Sequence, residues 1–192
     1  MRFLLGVRDG VKIKGTITAR FWDAEKYPTY ESTLQARARG EQPLKTIHGV
    51  HPRRLFGFVL PLPKLFWPKH NVIANAGMQH MLEILTGDEA TFYTIDYCGV
   101  GSGSTAPVVG DTDLETAIGS RKAVTNPFRT NQTATFSTFY ASADNNGTWR
   151  EVITAWESSG GDILNHALFD AAFTKDTTKT ATVDVDISLA NA

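Results

Sequence analysis

Residues 99–107, Gly-Val-Gly-Ser-Gly-Ser-Thr-Ala-Pro, have the composition of a loop that could wrap a phosphate. The spacing fails both phosphate chemistries. A P-loop needs Lys-Ser/Thr after its last glycine to meet the phosphates and magnesium, and here Asp111, Asp113 and Glu115 follow, which repel an anion. A dinucleotide loop needs a third spaced glycine opening an apolar helix, and the residues from 104 onward lack it. The stretch reads as a wide, ordered turn between two strands, entered through the strand-like run Phe92 to Tyr97. No cofactor is expected.

The remaining titratable residues also fail to assemble a reaction. Cys98 stands alone, so an internal disulfide and a multi-cysteine metal cage are both excluded, and a buried apolar thiol is the expectation. His48 and His51 lie three apart among prolines and bases with no third ligand near. Asp184 and Asp186 fall on one face of a strand, and with Asp111, Asp113 and Glu115 they raise calcium binding or paired-carboxylate hydrolysis. An outward acidic row that keeps a strand soluble is the simpler reading. Asp144-Asn145-Asn146-Gly147 lacks the distal bidentate glutamate of a calcium loop. No Ser-His-Asp or Cys-His arrangement is legible. The expectation is no catalytic residue, no cofactor and no metal.

The elements around these residues are mostly strands. Val11 to Phe21 alternates apolar and polar positions, and Ala181, Val183, Val185, Ile187 and Leu189 alternate with Thr182, Asp184, Asp186 and Ser188 without a break. Thr133–Ala141 and Trp149–Trp156 flank the Asp144–Gly147 turn signal and are expected to pair as a hairpin. Gly160-Gly161-Asp162 turns the chain again into Ile163–Phe169. One helix is expected from Asn75 or Ala76 to Leu85, capped by Asn75 and ended by Gly87. Its Met78, Met81, Leu82 and Leu85 are spaced as one buried stripe. Residues 23–47 are polar and irregular, with at most a helical turn or two over Tyr30–Ala38. Short strands separated by turns predict a mainly β fold, an antiparallel β-sandwich of jelly-roll type with one short helix and an extended N-terminal arm. The expected division is 1–69, a basic strand and proline-punctuated arm, and 70–192, the sandwich.

Charge divides the same way. Residues 1–70 hold 13 Lys and Arg against 5 Asp and Glu, and residues 71–192 hold 6 against 15, while the whole chain nets −1. Within the arm, Pro52, Pro61, Pro63 and Pro68 preclude a central strand throughout. Arg53, Arg54, Phe56, Phe58, Leu65, Phe66 and Trp67 interleave bases with apolar side chains that need cover, so these residues are the expected subunit interface. Nucleic acid would also suit bases interleaved with aromatics, but no nucleic-acid motif is present and the chain is not basic overall. No apolar run approaches the ~20 residues that span a bilayer, and no signal peptide is legible, so no membrane partner is expected.

Two phrases resemble a recurring pattern in virion proteins of tailed bacteriophages. Asn71, Asn75 and Gly77 match its N-x-x-x-N-x-G. After a short helix, Ile95, Gly99, Gly101, Thr105, Ala106, Pro107, Asp111, Thr112 and Leu114 match its I-x-x-x-G-x-G-x-T-A-P-x-x-x-D-T-x-L. The resemblance spans roughly residues 70–189. Related domains carry Glu-x-Gly-Leu after the middle hairpin, where this chain has Glu151-Val152-Ile153. The resemblance implies a structural protein of the virion, in the tail, baseplate, neck or capsid surface or at a fibre attachment. It implies other virion proteins as partners and a homo-oligomer or symmetric array. The alternative is a carbohydrate-binding module of a fibre that recognises the host surface; a glycan-cleaving enzyme is more distant.

Overall fold

The unbroken alternation of residues 181–189 sets the architecture. In the computed structural model, which describes residues 11–49, 71–87 and 94–191, it lies within β9 (Lys179–Asn191), hydrogen-bonded on both sides. Ala181, Val183 and Val185 are fully buried, and Ile187 nearly so, on the inward face. One neighbour is β1 (Val11–Asp23), paired along its whole length, with Ile17, Ala19 and Phe21 adding to the same core. The other is β6 (Thr133–Tyr140), which pairs in turn with β5 (Lys122–Thr130).

From β5 the sheet continues through β4 (Tyr97–Gly101), β7 (Gly147–Ala155) and β8 (Ile163–Lys175). On the far side of β1 lies β2 (Lys45–Gly49), whose Gly49 pairs with Phe169 of β8 and joins the two ends. The result is a closed, eight-stranded antiparallel barrel. This corrects the expected jelly-roll sandwich. Alternation specifies one buried face but not what covers it, and a sheet closed on itself meets that demand as well as two stacked sheets.

A ninth strand, β3 (Asn71–Ile73), pairs with Asn165–Ala167 of β8. Gly49 faces Phe169 and Asn71 faces Ala167, so β2 and β3 occupy consecutive stretches of β8 with only Leu168 between them. They form one interrupted stave, and residues 50–70 are inserted in it. Far from leaving the domain as an extended arm, β1 and β2 are barrel wall. The seven expected interface residues between Arg53 and Trp67 lie outside the described residues.

Two helices are described rather than one. α1 (Tyr30–Ala38) starts on a reciprocal cap, Thr29 accepting from the Ser32 N–H while Ser32 accepts from the Thr29 N–H. It lies over the outer face of β1, where Ala36, Tyr27 and Trp22 form a small cluster. α2 (Asn75–Thr86) spans the expected residues, but its N-cap is Ala74 with no side-chain bond, and Gly87 ends it at φ 72°. Its inner face is Gly77, where an added Cβ would lie 2.5 Å from the Leu164 carbonyl oxygen, together with Met81. The expected buried stripe is otherwise exposed: Met78 is 40%, Leu82 61% and Leu85 81% accessible.

The expected hairpin between residues 133–141 and 149–156 does not form. β6 and β7 are separated in the barrel by β5 and β4, and the turn between them crosses the barrel end. Its residues are spent on that crossing. Asn145, at φ 45°, donates its side-chain amide to the Ile118 and Ser120 carbonyls, and its own carbonyl accepts the buried Trp149 indole N–H at 2.8 Å. Lys175, at the end of β8, donates to the Ser142 and Asp144 carbonyls and to Asn146 Oδ1 at 2.7–3.1 Å.

Candidate functional site

A β-bulge in β7 creates a buried acid–base cluster in the barrel wall. Register with β8 shifts between Trp149 and Glu151. Trp149 and Val152 therefore both enter the core, while Glu151 turns to the opposite face, under the segment that links β4 to β5. His166 of β8, paired with Ile153, stands on that same outer face. Leu114 of the covering segment packs beside them against Ala74, Ile153, Ala155 and Ile163.

Glu151 is completely buried and its carboxylate is saturated. Oε1 accepts from the backbone N–H groups of Gly103 at 2.8 Å and Thr116 at 2.9 Å. Oε2 accepts from the Glu115 N–H at 2.9 Å and lies 3.0 Å from His166 Nε2. His166 Nδ1 lies 2.7 Å from Asp111 Oδ2, which also accepts the Val108 N–H. Each ring nitrogen thus faces a carboxylate oxygen. Since carboxylates only accept, an imidazole satisfying both must carry both protons. Burial works against a charged His166, yet the bonds to Glu151 and then Asp111 outweigh it and hold its pKa above the ordinary value. Burial likewise opposes the Glu151 charge, but His166 and the three backbone donors prevail and lower its pKa.

The glycine pattern now has a physical account. A Cβ added at Gly103 would sit 2.5 Å from Glu151 Oε1, and one at Gly101 would sit closer still. The loop is an anion-binding loop, and its anion is a side chain of the same protein. Glu115 serves the next turn: Oε2 accepts from the Ser104 and Thr105 N–H groups at 2.7 and 2.8 Å, and Oε1 from the Thr105 hydroxyl. These bonds lower its pKa. Arg121, its side chain 5% exposed, closes the segment by donating to the Glu157 and Gly160 carbonyls and pairing with Asp113 at 2.8 Å.

The other residues singled out in the sequence are dispersed. Asp184 does not form a solvated row with Asp186. It is 6% exposed, paired with Arg20 and with Arg37 of α1 at 3.2 Å, and accepts from Ser137, while Asp186 accepts from Thr135. Asp111, Asp113 and Glu115 have the three separate partners named above. Cys98 is buried in the core, which pushes its thiol up to about 11. His48 lies on the outer wall, its N–H donating to Asp170, and His51 is outside the described residues. Among the described residues no group of three or more His, Cys, Asp or Glu could hold a metal ion. Sequence reasoning missed Glu151 and His166 as a pair. The available signal was a charged residue and a histidine inside otherwise apolar strands, Val152-Ile153 after one and Ala167-Leu168-Phe169 after the other.

No protein-family model, curated protein or solved structure matches this chain.

Proposed function

We propose that this chain is a structural component of a tailed-bacteriophage particle, assembling through protein–protein contacts in the tail, baseplate, neck or capsid surface. One observation carries the reading: four residues of the virion-like pattern are spent in building the wall. Gly101 makes room for Glu151, Thr105 bonds Glu115, Asp111 bonds His166, and Leu114 covers the outer face of β7 and β8. None of these groups is left to meet a substrate. A cluster with His166 only 4% exposed and every Glu151 oxygen occupied offers a reacting atom no approach. Such a site stiffens a scaffold, and the reading is of a non-enzyme.

The carbohydrate alternative has one observation on its side. A cleft between α1 and the outer faces of β5, β6 and β9 is lined by Tyr30, Phe128, Asn126 and Asp186, an aromatic and polar mixture suited to sugars. The cleft holds about 220 Å³ and a shallower hollow of about 710 Å³ adjoins it through Phe128, Thr135 and Asp186; with Tyr30 and Phe128 the aromatic rings between them, this surface takes second place. Antibodies raised against the purified chain should label purified tailed particles from the source, at a fixed copy number by quantitative mass spectrometry. Finding the chain only in the particle-free supernatant would overturn the reading.

A further inference from the structure

Lys175 is a buried cation whose hydrogen-bond partners are all neutral. The residue is 1% exposed, and its Nζ donates to the Ser142 carbonyl at 3.1 Å, the Asp144 carbonyl at 2.7 Å and Asn146 Oδ1 at 3.0 Å. The two carboxylates beside it are engaged elsewhere. Asp144 Oδ1 pairs with Lys122 while Oδ2 accepts the Ala141 N–H, and Asp176 pairs with Lys179. Burial outweighs the more distant pull of both and lowers the ammonium pKa to about 8.

Of the three acceptors, only Asn146 can gain a charge. It is exposed, and with Gly147 it forms the one Asn-Gly step of the chain. A glycine nitrogen has no side chain beside it to hinder its approach. Closure of an asparagine side chain onto that nitrogen, with loss of ammonia, is a main reason asparagine is thermolabile. In this turn a cation already lies on Oδ1, the oxygen at which negative charge develops in that closure.

We propose that Asn146 is a self-modifying site, deamidated with the help of Lys175 to supply the carboxylate that this ammonium lacks. The Gly147 nitrogen gives its proton to solvent and bonds to Asn146 Cγ. The carbonyl electron pair moves onto Oδ1, where the Lys175 N–H stabilises it. The pair then returns, the Cγ–Nδ2 bond breaks, and Nδ2 takes a proton from water and leaves as ammonia. Water next opens the succinimide ring. Attack at Cγ, the carbonyl that Lys175 polarises, breaks the N–Cγ bond, reprotonates the Gly147 nitrogen and leaves aspartate at position 146. Attack at the main-chain carbonyl would give isoaspartate, lengthening the backbone where Gly147 pairs with Lys175. One water is consumed and one ammonia released, with no change of oxidation state. The modification is independent of the assembly reading.

Incubating the purified full chain at neutral pH, with intact mass and peptide mapping at intervals, tests the proposal. The folded chain should gain the mass of one deamidation at position 146, several-fold faster than the same chain unfolded in urea, with aspartate in excess of isoaspartate. Lys175→Met should lose that acceleration and shift the product toward isoaspartate, and Asn146→Gln should suppress the mass gain. If Lys175→Met does not fold, the comparison of folded with unfolded native sequence decides alone. In the Asn146→Asp variant, the Lys175 amine followed by NMR on isotope-labelled lysine should titrate above about 8. The proposal is overturned by conversion in the folded chain no faster than in urea, or by isoaspartate as the main product. A folded Lys175→Met chain converting at the native rate, or a Lys175 titration unmoved in Asn146→Asp, would overturn it as well. So would a lasting loss of ammonia with Lys175 joined to position 146, which would mean capture by the amine in place of water.

Discussion

Glu151 is a carboxylate placed where proteins rarely put one, fully buried and held by three backbone N–H groups and a histidine. Removing it strands those donors and leaves His166 with one carboxylate. Glu151→Ala should therefore cost about 3–5 kcal/mol in urea unfolding, the range for breaking a buried pair. The pH dependence has a definite sign. His166 titrates above its ordinary 6.5 in the native state, so its stabilisation is complete below that value and lost as pH rises through the raised one. Glu151 titrates below its ordinary 4.5, so its contribution is complete above 4.5 and lost as pH falls through the lowered value. The cluster contributes fully between these limits. In thermal melts the unmodified chain should lose stability as pH climbs above 6.5, with Asp111, Glu151 and Glu115 the carboxylates around the ring. His166→Gln should be less stable at pH 6 and flatter above it; an unchanged alkaline slope would remove His166 as the source. The glycines that announce this site were legible in the sequence. The anion was not legible, because Glu151 lies 48 residues beyond Gly103 and only strand pairing brings the two together.

At the level of elements, alternation and turn signals located β1, β6, β7, β8 and β9 but could not say which strands are neighbours. The Asp144–Gly147 turn illustrates the gap. Asn and Gly announce positive φ, which a hairpin and a barrel-end crossing both need, so local chemistry alone favoured the commoner outcome. Long-range bonds decide otherwise: Asn145 holds the Ile118 and Ser120 carbonyls, and Lys175 reaches back from β8 to three acceptors in the same turn. Burial lowers the Lys175 pKa to about 8, so its partners offset only part of the cost of holding this ammonium. Lys175→Met keeps the length and removes the donors. It should destabilise by about 1–3 kcal/mol in denaturant unfolding, the penalty for acceptors left unpaired. Amide exchange should rise at residues 141–147 before it rises in β9. Unchanged exchange there would show that Asn145 holds the crossing alone. The α2 stripe failed for a different reason: its spacing reported an apolar face faithfully, and spacing alone does not say whether the barrel wall covers that face.

For the whole molecule, the decisive fact is that β2 and β3 are one stave with an insertion. A three-residue strand such as Asn71–Ile73 carries too little periodicity to be read, and prolines from 52 to 68 hid the continuity by suggesting an arm. Gly49 opposite Phe169 and Asn71 opposite Ala167 leave a single position facing Leu168. Replacing residues 50–70 with one threonine should join the two strands in register and give a folded barrel. Shortening the connection from 21 residues to one halves it about four times, and at ~0.6 kcal/mol per halving the closure entropy falls by roughly 2 kcal/mol. If the segment contributes nothing to the barrel core, the shortened chain should be more stable than the original by about that amount, with slower amide exchange across residues 45–49 and 71–73. A chain that melts earlier, or loses its cooperative transition, would place the aromatics of 50–70 inside the barrel's own core.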